Sequence, residues 1–251
     1  MPIDYLRAFT DPDRTDEANR RLGRSLAFVA GAANAGGFLA VGQYTSHMSG
    51  MVSTTTDALA LGELGLAGAG FASLVSFITG AAVSAMLINW GRRQELRSLY
   101  AMPLMLEASL LLIFGFLGAN LEAHRLLFVP ATVALLCFVM GLQNAMITKI
   151  SKAEIRTTHV TGLVTDIGIE LGKLFYWNGP FSHPTLYGAP VLADRRRLAL
   201  LASLLASFFC GGLAGAIGFK HMGFISTVPL ATVLVALAAV PLVDDLLGQR
   251  L

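Results

Sequence analysis

Charge is scarce in this sequence: 14% of its 251 residues are Asp, Glu, Lys or Arg, against 55% that are hydrophobic. An ordinary soluble domain carries about 25% charged residues, so this chain cannot furnish the usual water-facing surface. The net charge of +2 offers no global attraction for nucleic acid, and the basic residues have to be read by position. Cysteine is nearly absent. Cys137 and Cys210 lie inside apolar runs, where they are most simply buried or lipid-facing thiols, and they say nothing about redox compartment. No HExxH, CxxC, GxSxG or P-loop pattern occurs, so no catalytic metal, activated nucleophile or cofactor is expected and the chain does not read as an enzyme.

Long apolar runs, by contrast, are plentiful. They cover about 25–41, 71–90, 102–117, 127–147, 198–219 and 224–243, each near the roughly 20 residues that a membrane-spanning helix needs. The basic Arg20, Arg21 and Arg24 ahead of the first run imitate a signal peptide. The run from Leu26 to Ala30 is too short for one, and cleavage near Ala33 would destroy a segment that has a counterpart further on. The first helix is therefore expected to be retained.

That counterpart belongs to an internal repeat. Gly31, Asn34 and Ala35 recur as Gly141, Asn144 and Ala145; Thr45, Ser46, His47, Met48, Ser49 and Gly50 read against Thr157, Thr158, His159, Val160, Thr161 and Gly162. Leu61, Gly62 and Leu64 find Leu171, Gly172 and Leu174, and Phe77 and Gly80 align with Phe208 and Gly211. Repeats of this kind are a mark of transporter folds, which place a polar site between their halves.

Between the first two apolar runs of each half lies a polar, helix-like stretch, 45–65 and 157–178. If both stretches span, there are eight helices and the Lys and Arg residues divide poorly between the two sides. If both dip in and return, there are six spans, and sixteen of the eighteen Lys and Arg residues share one side, with Arg125 and Lys220 on the other. Cytoplasmic loops carry the excess of positive charge, which selects six spans with both termini in the cytoplasm. Three spans per repeat then make the copies inverted. The expected architecture is an all-α polytopic membrane protein of six transmembrane helices plus two re-entrant or short polar helices, built as two inverted repeats. Residues 1–24 form a cytoplasmic N-terminal segment, 25–120 the first repeat, 121–243 the second, and 244–251 a cytoplasmic tail.

Backbone that leaves the helix at membrane depth survives only where protein buries it or water reaches it. Residues 45–50 and 157–162 suit that role, each ending in Ser-Gly or Thr-Gly with a hydroxyl able to cap a helix. The candidate ligand-binding set is Asn34, His47, Ser49, Gly50, Gln143, Asn144, Thr158, His159, Thr161 and Gly162. A histidine can switch charge near neutral pH or hydrogen-bond as a neutral ring, and its alternative is a bond to interfacial backbone. Metal binding is not expected, since neither histidine has a Cys, Asp or further His at ligand spacing. Amides inside apolar helices turn inward, so Asn34 and Asn144 either bind solute or join helices. Ionisable side chains at membrane depth are costly and mark function, which selects Asp57, Glu107 and Asp166 for proton or ion coupling. Glu170 and Lys173 fit an internal ion pair.

GAANAGGFLAVG followed by SHMSGM, and GLQNAMITKI followed by RTTHVTGLVTDI, resemble the YoaK family of bacterial inner-membrane proteins, also called DUF1275. The resemblance implies a six-span protein counted among candidate transporters with no established substrate. The chain departs from the family in the first half, where Asn34 replaces a common aspartate and Met51 a common asparagine, so the resemblance carries no ionisable group over to the first helix. The expected function is a secondary transporter or facilitator of a small polar solute in the lipid bilayer; the alternative is a non-transporting scaffold or sensor. A homodimer is expected by analogy.

Overall fold

The computed structural model describes residues 16–96, 98–121, 125–150, 159–178 and 190–246. Its elements run α1 (Asp16–Val41), α2 (Met48–Ala60), α3 (Leu64–Arg93), α4 (Ala101–Ala119), α5 (Arg125–Ile150), α6 (Val160–Phe175), α7 (Arg195–Met222), a 3-10 turn (Gly223–Ser226) and α8 (Thr227–Leu246), and no strand occurs among the described residues. Five segments are long and apolar enough to cross a membrane, the last a 45-residue stretch, Arg195–Ala239. As one straight helix that stretch would reach about 68 Å, twice the hydrocarbon core. The chain breaks it at Gly223, whose φ of 64° and ψ of −149° lie in a region that glycine alone enters without strain. Its two parts then take different partners, α7 packing on α1 and α8 on α4.

Helix α1 begins nine residues before the apolar run that predicts it. Asp16 and Glu17 occupy its first turn, where carboxylates favour the positive helix end, and Arg21 donates to Glu17 at 3.0 Å. Part of the expected N-terminal segment is therefore helical. Both short helices start two residues earlier than expected, at Met48 and Val160. The reason is that Ser49 and Thr161 sit inside the first turn and His47 and His159 hold the N-cap positions, without a side-chain capping bond.

Long helices pair across the two halves of the chain. α1 lies on α7, α3 on α5, and α4 on α8, while α2 rests on α3 and α6 on α7. Glycines decide how closely the first two pairs approach. A Cβ on Gly31 would collide with the Phe208 carbonyl oxygen, and one on Gly211 with that of Phe28. In the other pair, Gly141 meets the Phe77 carbonyl and Gly80 that of Phe138. These are repeat-equivalent contacts, made twice by the same residue types. Without a hydrophobic drive between helices in lipid, such backbone-to-backbone approach is what holds them. Gln143 adds a polar tie: its side chain is fully buried and its Nε2 donates to the Leu26 carbonyl of α1 at 3.0 Å.

At the opposite seam, Phe114 of α4, Phe219 of α7 and Phe224 of the 3-10 turn form an aromatic triangle with centroids 5.7–6.0 Å apart. Gly36 of α1 lies against the Phe219 ring, so this cluster also anchors the end of the first helix pair.

Candidate functional site

Four of the long helices and both short ones contribute to one cavity of about 860 Å³. From α1 comes Asn34; from α5, Asn144 and Thr148; Phe77 of α3 and Phe208 of α7 face it from either side. The starts of α2 and α6 complete it with His47, Met48, Ser49 and His159, Val160, Thr161, and the link before α2 adds Tyr44 and Ser46. Five repeat-equivalent pairs thus line a single space: Asn34 with Asn144, His47 with His159, Met48 with Val160, Ser49 with Thr161, and Phe77 with Phe208.

The local sequence explains how each short helix presents its start. In both, a histidine stands three residues before a glycine, and the imidazole folds back over the first turn. A Cβ on Gly50 would strike the His47 ring, and one on Gly162 the His159 ring. The two glycines therefore make room for a side chain, and neither lines the cavity. The first bonds within each helix are Met51 N–H to the His47 carbonyl and Leu163 N–H to the His159 carbonyl, both at 3.1 Å. The amides of Met48, Ser49 and Gly50, and of Val160, Thr161 and Gly162, precede those bonds and lack helical acceptors.

Asn34 is nine-tenths buried, with 9% of its surface exposed. Its Oδ1 accepts the Ser46 hydroxyl at 3.0 Å, which directs the carboxamide nitrogen to the cavity as a donor. Asn144 donates through Nδ2 to the Met140 carbonyl one turn back, at 2.9 Å.

Six of the ten expected ligand-binding residues meet here: Asn34, His47, Ser49, Asn144, His159 and Thr161. Gln143 faces the α1 seam, Gly50 and Gly162 support the histidines, and Thr158 lies outside the described residues. The three coupling candidates are elsewhere. Asp57 is exposed on α2. Glu107 is fully buried in α4, with neither carboxylate oxygen hydrogen-bonded. Asp166 accepts from Arg197 Nη2 at 3.0 Å, which ties α6 to α7. Sequence reasoning left out Tyr44, Ser46, Met48, Thr148, Val160 and the two phenylalanines. The phenylalanines carried a signal, being matched across the repeat.

Asp166 belongs to a charged latch between α6 and the start of α7. Buried Glu170 accepts from Lys173 Nζ and from the Asp194 amide, both at 2.8 Å, while Asp194 caps α7 by accepting from the Arg197 and Arg196 amides. The Lys173 hydrogen bond, then the Asp194 amide, hold the Glu170 carboxyl below its ordinary value near 4.5. The Arg197 amide, with that of Arg196, does the same for Asp194. A depressed carboxyl stabilises the fold above its unfolded-state pKa and loses that contribution as pH falls through the folded one. Acidification below about pH 4.5 should therefore lower the thermal midpoint in detergent. Glu170→Gln should flatten that acid limb; equal slopes in the variant and the parent would show that the latch contributes nothing.

Apolar helices long enough to cross a bilayer, packed through glycine contacts and lining a shared cavity with polar side chains from both halves, define a multi-pass helical membrane protein. The chain belongs to the DUF1275 family, described as proteins of unknown function, whose family model matches residues 22–240. No curated protein and no solved structure matches it.

Proposed function

We propose that this protein is a secondary transporter or facilitator that moves a small polar solute across the bacterial inner membrane. The observation that carries the reading is the cavity of about 860 Å³, lined by matched hydroxyl, imidazole and amide groups from both halves of the chain. A closed, dry contact between the two polar segments would instead have favoured a scaffold. The architecture that suits transport is six spans in two inverted repeats, with the 195–239 stretch counted as two, both termini in the cytoplasm, and α2 and α6 re-entering from opposite sides. The cross-paired helices α1–α7 and α3–α5 fit this reading: the same contact recurs with the halves exchanged. Alternating exposure of a fixed midplane site is the mechanism such folds use.

The purified protein in liposomes should accumulate solutes from a panel of small polar metabolites faster than empty vesicles. Asn144→Ala combined with Thr161→Ala should lower uptake of the transported member at least about tenfold, equivalent to about 1.4 kcal/mol of lost binding. Uptake unchanged in the double variant would remove the site assignment, and no uptake of any solute would favour the scaffold.

A further inference from the structure

We propose that the solute is a small anion, bound between the starts of α2 and α6 through backbone amides and the Asn34 carboxamide; this rests on the transport reading above. The groups around the cavity carry one sign. No Asp, Glu, Lys or Arg lines it among the described residues, so none of these supplies a side-chain ion to the cavity wall. What sets the potential is backbone. Two helix starts converge on one space, where Met48 and Ser49, and Val160 and Thr161, line it with amides that have no helical acceptor, and each start carries the equivalent of roughly half a positive charge. Together they present about one elementary charge, matched to a monovalent anion.

The caps point the same way. A Ser, Thr, Asp or Asn at the N-cap occupies the amides with its side-chain oxygen, as Asp194 does for α7. Here the N-cap residues are His47 and His159, and neither ring makes a capping bond. An imidazole offers at least one N–H, and so adds a donor at a place where an acceptor would close the site.

Asn34 supplies an independent indication. The side chain is nine-tenths buried and lines the cavity. Ser46 occupies its Oδ1, and among the described residues its Nδ2 has no acceptor. That nitrogen opens onto the cavity, so what fills the space is favoured if it accepts a hydrogen bond there. The acceptor that the amides, the imidazoles and this nitrogen all favour is a carboxylate or an inorganic oxyanion. A cation would meet two positive helix ends.

Acetate, acetamide and nitrate separate the possibilities, because acetate and acetamide share a shape and differ in charge. Binding is read by thermal shift of the full-length protein in detergent at constant ionic strength, and movement by flux into liposomes. Acetate or nitrate should raise the melting temperature in a saturable way, acetamide and methylammonium should not, and acetate against nitrate tells carboxylate from oxyanion recognition. Asn34→Asp keeps the acceptor for Ser46 while placing a negative charge in the cavity, so it should stay folded and weaken the anion at least roughly tenfold. Asn144→Asp is the second variant, should the first lose its helical circular dichroism. Equal binding of acetate and acetamide, undiminished anion binding in both variants, or no binding of either anion would overturn the proposal. Anion binding without flux would keep this site and discard transport; flux of a neutral solute alone would keep transport and discard the anion.

Discussion

Gly141→Val and Gly31→Val should each lower the thermal midpoint in detergent by on the order of 10 °C and sharply reduce the yield of folded protein. The added carbon atoms have nowhere to go. Opposite Gly141 stands the Phe77 carbonyl and opposite Gly31 that of Phe208, and a helix backbone cannot rotate away as a side chain can. Overpacking a tight interior costs about 1–3 kcal/mol even where side chains yield. Here the helices must separate, so we expect at least about 3 kcal/mol, and each kcal/mol moves the midpoint of a chain this size by about 2–4 °C. The contrast lies on other helices: Gly68 and Gly172 face open space inside α3 and α6. Gly→Ala there should leave stability unchanged or raise it by up to about 1 kcal/mol, because alanine is the better helix former. A midpoint that does not fall in the valine variants would mean that α1–α7 and α3–α5 are not held by backbone approach.

Thr161→Trp should abolish solute flux while leaving the fold intact. Thr161 is exposed on the first turn of α6 and lines the cavity, so an indole added there occupies space rather than displacing packed atoms. It also covers the amides of the helix start, the groups to which the binding argument assigns most of the attraction. We expect a loss of at least roughly a hundredfold, about 2.7 kcal/mol expressed as binding free energy. Ser49→Trp, its repeat equivalent, should act alike from the other half. Val164→Trp serves as the control, since Val164 is half exposed on the same helix and does not line the cavity. Flux retained in Thr161→Trp, with Val164→Trp unaffected, would place the solute path elsewhere.

Much of the cavity was legible because the sequence repeats itself. His47 and His159, Asn34 and Asn144, and Ser49 and Thr161 are matched pairs, and polar pairs inside apolar segments have little reason to persist in lipid unless they turn inward. Phe77 and Phe208 were equally matched yet passed over, since an aromatic residue in an apolar helix looks like lipid-facing or core material until its surroundings are known. The ionisable residues are placed apart from the cavity, which the sequence does not reveal. Asp57, Glu107 and Asp166 are conspicuous in an apolar chain, but distance from the cavity is a property of packing, and Asp166 is engaged by Arg197, 31 residues away. Gln143 sits next to Asn144 in sequence and points to a different seam, because neighbouring positions on a helix are about 100° apart.

Composition and periodicity alone determined that the chain is helical and apolar enough for a membrane, that it is divided into related halves, and that each half carries a polar interruption with a histidine, a hydroxyl and a glycine. Those features are local, written in hydrophobic length and in residue identity. Only the tertiary structure decided that α1 crosses to α7 and α3 to α5, because backbone contact at Gly31, Gly80, Gly141 and Gly211 depends on which carbonyl arrives opposite each glycine. It likewise decided that Gly50 and Gly162 exist for the histidine rings, and that two helix starts from separate halves converge on one space. Convergence of groups more than a hundred residues apart is set by long-range packing, which no spacing along the chain records.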